Sequence, residues 1–231
     1  MMPEENANIS SETAFYRKKF FLSIIIPGLF VMLIWLVRII EVLFDIDLSR
    51  FGIYPRTANG IPGILLSPLI HENFKHLFSN SLPLMMLATG VFYFYSEVAL
   101  KVSGWIYLLT GLFVWVGGRE AYHIGASGLV YGFASFLFFS GIIRKYFRLI
   151  ALSLLVVFLY GSMIWGMVPE LYRDVSWESH MLGFVSGIIM AIVYRREGPQ
   201  NPLIEWMQDD FKEPEEEKTG EDETGREGDE D

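Results

Sequence analysis

Residues 20–44, FFLSIIIPGLFVMLIWLVRIIEVLF, carry only two charges, Arg38 and Glu41, both near the far end. Roughly 20 apolar residues are enough for a helix to cross about 30 Å of hydrocarbon, so this stretch alone commits the chain to a bilayer. At i, i+3 spacing, Arg38 and Glu41 either pair with each other or snorkel to the interface. The cluster Arg17-Lys18-Lys19 ahead of the stretch resembles the start of a signal peptide. The apolar run is too long for that, and no small-residue cleavage site follows, so it reads as a retained first helix.

Five more stretches repeat the pattern, at residues 73–95, 102–116, 127–143, 147–168 and 181–194. The fold class expected is therefore an all-α membrane protein, a bundle of six transmembrane helices. Residues 127–143 (SGLVYGFASFLFFSGII) are rich in Gly, Ala and Ser, which let helices approach closely, so this helix is placed at the centre. The longest connection, residues 45–70, has the Gly, Pro and aromatic content of a structured, membrane-associated loop rather than a tether.

Charge is segregated. From Pro199 onward there are 14 acidic and 3 basic residues, while the rest of the chain is nearly neutral and very apolar. Three parts follow: residues 1–19, a cytoplasmic N-terminal segment; 20–196, the six-helix body; and 197–231, an acidic cytoplasmic tail read as disordered, with an amphipathic piece at Leu203–Met207. The body has no basic stripe, so no nucleic acid is expected as a partner. Cysteine is absent, which removes disulfides and thiol chemistry. Potential metal ligands are too few near any one point, with Glu72 the carboxylate near His71 and His76, so neither a metal nor a cofactor is expected.

Lys and Arg in the short loops set orientation. One side holds Arg17, Lys18, Lys19, Lys101, Arg144, Lys145, Arg148, Arg195 and Arg196; the other holds Arg50, Arg56, Arg119 and Arg173. That bias puts both termini in the cytoplasm of a multi-pass protein of the cell (inner) membrane. The four histidines, His71, His76, His123 and His180, then fall at or near the outward ends of the spans.

Ionisable and polar groups within spans are costly and mark functional sites. Three clusters stand out. His71-Glu-Asn-Phe-Lys-His76-Leu-Phe-Ser-Asn80 enters the second span, with His76 and Asn80 on one helical face. Gly125-Ala126-Ser127-Gly128 opens the fourth span, with Tyr131 one turn below Ser127 and Gly128 and Gly132 in a GxxxG pair. A serine at a helix N-terminus has free backbone N–H groups beside it, the geometry of an oxyanion hole. Ser179-His180 opens the sixth span, followed by Gly183 and Gly187, whose natural partner is the glycine face of the fourth. Packing those faces together brings His180 within reach of Ser127. Nucleophile, base and oxyanion donors are the parts that acyl transfer needs. Each cluster alone is also ordinary helix packing; their convergence is what points to chemistry. No acidic residue is placed to orient His180, so a dyad is implied.

Over residues 51–194 the sequence resembles a rhomboid intramembrane serine protease of the basic six-helix bacterial form. The resemblance rests on Tyr54-Pro55-Arg56, on His71, His76 and Asn80, on residues 125–128, and on His180, Gly183 and Gly187. It implies Ser127 as nucleophile and His180 as general base. His76, Asn80 and the Ser127 backbone N–H would stabilise the oxyanion, and Tyr131 would stack on His180. Arg56 and His71 would hold the first loop, although Pro-Arg stands here in place of the more familiar Trp-Arg. The implied substrates are single-span membrane proteins cut near the outer end of their helix, with the active site opening to the outer face. His123 lies outside the pattern and is expected at a loop or rim position. A transporter is disfavoured by the lack of an inverted repeat with paired broken helices. A non-catalytic scaffold or chaperone that binds client helices is the alternative, and Ser127→Ala separates it from the protease.

Overall fold

The structure is a computed structural model that describes residues 3–169 and 176–202, with side chains from Glu12 onward. Arg173, the amphipathic piece and the acidic run all lie outside the described residues. Among the described residues there are seven α-helices: α1 (Pro3–Phe44), α2 (Gly63–Leu66), α3 (Phe74–Phe94), α4 (Ala99–Gly117), α5 (Ser127–Arg144), α6 (Phe147–Tyr160) and α7 (Trp177–Val193). Each of the six long ones overlaps one of the six apolar stretches, although α1 starts 17 residues earlier and α6 ends at Tyr160. Five are long and apolar enough to cross a membrane, counting α6 with the 3-10 turns that continue it to Met167; α7, at 17 residues, is a shorter apolar helix.

Helix α1 continues unbroken through residues 19 and 20, from Pro3 to Phe44. At 1.5 Å per residue it is about 60 Å long, roughly twice the hydrocarbon thickness. Arg38 Nη1 lies 3.3 Å from Glu41 Oε2, so these two charges pair rather than separate to the interface. Pro27 and Pro83 sit inside α1 and α3, positions that spanning helices tolerate when neighbours shield the freed carbonyls.

Helix α5 is the centre. Of its span 67% is buried, against 17% for α1. Small residues explain the difference. Gly128 and Gly132 face Gly183 and Gly187 so closely that a Cβ on Gly183 would lie 3.0 Å from the Gly128 Cα and closer still to its carbonyl. Ser135 then staples the pair, its Oγ 2.8 Å from the Phe184 carbonyl of α7. Outward faces carry large apolar side chains, among them Phe147 and Phe158 at 80% and 84% exposed. Apolar exposure on that scale is compatible with lipid and not with water.

At the opposite end of α5, Arg144 is 5% exposed. Its guanidinium takes the carbonyls of Tyr194 (2.5 Å), Glu197 (2.7 Å) and Pro199 (2.9 Å), and it lies 5.4 Å over the Tyr95 ring. A cation on the C-cap carbonyl of α7 and on two carbonyls just beyond it satisfies groups that the helix itself cannot.

Residues 45–73 are structured, as the composition indicated. Short 3-10 turns at Ser49–Phe51, Ala58–Gly60 and Ser67–Leu69 flank α2. Backbone hydrogen bonds tie this loop to the segment before α5: Ile53 exchanges both with His123 (3.0 and 2.9 Å), and Gly125 N–H donates to Ser67 O at 2.9 Å. His123 is 2% exposed. His123 thus lies in the loop before α5, one of the two places expected for it, and the two-way pairing with Ile53 buries it there rather than leaving it at the rim.

Candidate functional site

The sequence begins α5 at Ser127, just after Gly125, whose φ of +105° only glycine adopts without strain. Bare backbone at that position is also a matter of space, because a Cβ on Gly125 would lie 2.9 Å from His76 Nε2. Helix α7 begins at Trp177 with Ser176 as its N-cap, which sets His180 in its first turn. Across the α5–α7 contact, Ser127 Oγ is 2.8 Å from His180 Nε2.

Proton positions follow from the partners. His180 Nδ1 is 2.9 Å from the carbonyl oxygen of Gly166. A carbonyl only accepts, so Nδ1 carries the hydrogen and Nε2 presents its lone pair to the Ser127 hydroxyl. A main-chain carbonyl thus orients the ring, the role for which no carboxylate was found in the sequence. Gly166 lies in the 3-10 stretch Gly161–Met167 that continues α6. The span expected to be helical through residue 168 therefore tightens over its last turns. Tyr131 stacks on His180 with ring centroids 4.2 Å apart and planes 13° from parallel, and its hydroxyl donates to Met163 O at 2.6 Å. One segment is thus tied to both rings.

Helix α3 supplies the remaining side chains. Asn73 caps it by accepting from the His76 N–H at 2.8 Å, which fixes where the helix starts and sets His76 in its first turn. Asn80, one turn further along the same face, is 5% exposed, and its Nδ2 has no hydrogen-bond partner among the described residues. A buried amide donor left open is costly unless something accepts from it. His76 and Ser127 both line two cavities: a polar one of about 700 Å³, also lined by Glu72, Lys75 and Arg119, and one of about 310 Å³ between α3 and the end of α6, lined by Asn80, Tyr131, Tyr160 and Met163.

His71, predicted to hold the first loop, is 1% exposed and lies beside the serine turn. Ala126 N–H donates to its Nε2 at 3.3 Å. Burial, aided by the nearby His76, lowers the pKa of His71 to about 4, so the ring is neutral at pH 7 and free to accept. Protons bind the unfolded ring near 6.5 and the folded ring only near 4, so stability is full above pH 6.5 and drains away as pH falls toward 4. The loss is on the order of 3 kcal/mol. His71→Gln should flatten that part of a melting-temperature profile, measured between pH 7 and 4. Arg56 lies in the same loop. With φ of +58°, it donates from Nη1 to the Gly118 carbonyl at 2.8 Å, and its backbone N–H bonds to Trp115 O.

Among the described residues, no group of three or more His, Cys, Asp or Glu could hold a metal ion.

Fold and site together define a multi-pass helical membrane protein with a serine and a histidine hydrogen-bonded between two glycine-packed helices. A Rhomboid domain family model matches residues 59–197, and the chain belongs to the rhomboid family. It is 34% identical over 175 residues to an uncharacterized protein of Mycobacterium tuberculosis, covering 70% of this chain and 71% of that one. An uncharacterized protein of Mycobacterium leprae is 30% identical over 203 residues, covering 82% and 79%.

Proposed function

We propose that the protein is an intramembrane serine endopeptidase that cuts single-span membrane proteins near the outer end of their transmembrane helix, with both its own termini in the cytoplasm. The observation that carries this reading is the Ser127–His180 bond at 2.8 Å, backed by the tie from His180 Nδ1 to the Gly166 carbonyl.

In this mechanism Ser127 Oγ attacks the scissile carbonyl carbon while its proton passes to His180 Nε2. The carbonyl oxygen becomes an anion. Its donors are the Ser127 N–H, which as the first residue of α5 has no intrahelical partner, the open Nδ2 of Asn80, and the His76 ring. Collapse of the tetrahedral intermediate breaks the C–N bond, and His180 returns the proton to the leaving amine. Water then repeats the sequence on the acyl-enzyme, with the polar cavity as its source. A substrate helix must unwind locally to expose its carbonyl, and the cavity between α3 and the end of α6 is the lateral face through which such a segment reaches Ser127.

The test is reaction of Ser127 with a fluorophosphonate probe, followed by mass spectrometry of the intact protein in lipid. Wild type should take up one equivalent, at Ser127. His180→Ala should lose the reaction, because nothing takes up the hydroxyl proton. Asn80→Ala should keep a dyad but react about 100-fold more slowly, the usual effect of one oxyanion donor. An adduct elsewhere, or equal rates in all three, would sink the reading.

A further inference from the structure

More than one bond joins the N-terminus of α7 to the chain around Ser127. The first is Ser127–His180. The second lies four residues earlier on both sides: His123 Nδ1 is 2.6 Å from Ser176 Oγ. His123 Nε2 is 3.0 Å from the Arg119 carbonyl, so Nε2 carries the hydrogen and Nδ1 accepts from the Ser176 hydroxyl. Ser176 Oγ in turn accepts from the Ser179 N–H at 3.3 Å, capping α7, and lies 2.8 Å from Ser179 Oγ. Beside this chain, Arg119 Nε pairs with Glu178 Oε1 at 3.5 Å, and Glu178 is itself 4% exposed.

We infer that His123 is a positioning residue for the dyad: through Ser176 it sets the distance and rotation of the first turn of α7, and so the reach of His180 to Ser127. The inference deepens the hydrolytic reading and rests on it for its functional meaning, though the geometry stands apart from it. The argument is one of leverage. His123 is anchored by its backbone to Ile53, and four residues later the same chain carries Ser127. Ser176 is the N-cap of α7, and four residues later that helix carries His180. Two parallel bonds between the same two segments remove the rotation that a single bond leaves free. Burial lowers the pKa of His123, which keeps the ring in the neutral form that accepts from Ser176.

The experiment is nitrogen-15 histidine NMR of the full chain in lipid nanodiscs, paired with the rate of fluorophosphonate labelling. Ser176→Ala and His123→Phe are each expected to shift the His180 Nε2 resonance toward that of a ring nitrogen without a donor, and to slow labelling about tenfold. Ser176→Thr, which keeps both hydroxyl and cap, should restore both. The double variant should fall no further than either single one, because the two residues act through one bond. Ser153→Ala serves as a control for general destabilisation. Its hydroxyl bonds carbonyls of α5 and α6 away from the site, and it should lower the melting temperature without moving His180. A His180 resonance unchanged in both Ser176→Ala and His123→Phe overturns the inference, whatever the labelling rate. If the resonance moves while wild type never labels, the positioning holds and the hydrolytic reading is what fails.

Discussion

Ser127→Ala is expected to cut the rate of cleavage of a single-span reporter in lipid by about a thousandfold or more, with the melting temperature unchanged. The magnitude follows from the geometry. Among the described residues, Ser127 Oγ is the one hydroxyl bonded to a histidine nitrogen at the cavity that the open Asn80 amide also lines, so no described neighbour substitutes for it. Neither Ser79 nor Ser162 at the same cavity has a histidine nitrogen among its bonding partners; the Ser79 hydroxyl donates to its own helix, at the His76 carbonyl. Stability should hold because Ser127 Oγ faces the cavities, and the group left without its partner, His180 Nε2, belongs to a residue that lines the same cavity, where water can replace the hydroxyl. Equal cleavage by wild type and variant would refute the hydrolytic mechanism. A scaffold that only binds client helices would keep its binding in this variant, which a pull-down of the same reporter would register.

Gly183→Val is expected to lose both fold and activity. The Cβ alone would lie 3.0 Å from the Gly128 Cα and nearer to its carbonyl, and those are backbone atoms that cannot rotate aside. Relief requires α5 and α7 to separate, which also loosens the Ser135 staple and lengthens the reach from His180 to Ser127. Overpacking of this kind costs about 3 kcal/mol or more. Thermal denaturation in detergent should show a drop of ten degrees or more, and fluorophosphonate labelling should be lost well below the new transition. Val at Gly104 makes the comparison, since a Cβ there meets nothing within 4 Å. If Gly183→Val melted like Gly104→Val, the α5–α7 contact would not be as tight as described.

What the sequence disclosed about this protein divides along a physical line. The spans were legible because hydropathy is local, and each of the six long helices falls on its apolar stretch. The spacing of His76 and Asn80 and the glycines of α5 and α7 were legible because side-chain identity at helical periods encodes a face. The orienting partner of His180 was not. It is a main-chain carbonyl, which every residue possesses, and only folding chooses the one at Gly166. The burial of His123 within its loop was not legible for a similar reason: it comes from backbone pairing with Ile53, 70 residues away, and pairing of single residues leaves no periodic trace. The 3-10 ending of α6 was missed because an apolar run of sufficient length reads as helix whatever its pitch. The nearest signal was a pair of glycines, Gly161 and Gly166, bracketing that stretch.

That carbonyl has a consequence for how the site tolerates inherited change. Where a carboxylate side chain aims a histidine, a single codon change deletes it. Here no substitution at a neighbouring position removes the acceptor, because peptide oxygens are not encoded one by one. The vulnerability collapses onto a single address, Gly166, where any side chain would begin 3.0 Å from His180 Nδ1 and against the Tyr131 hydroxyl. In a library of random variants, loss of the His180 alignment should therefore trace to this one position rather than to the identity of its neighbours.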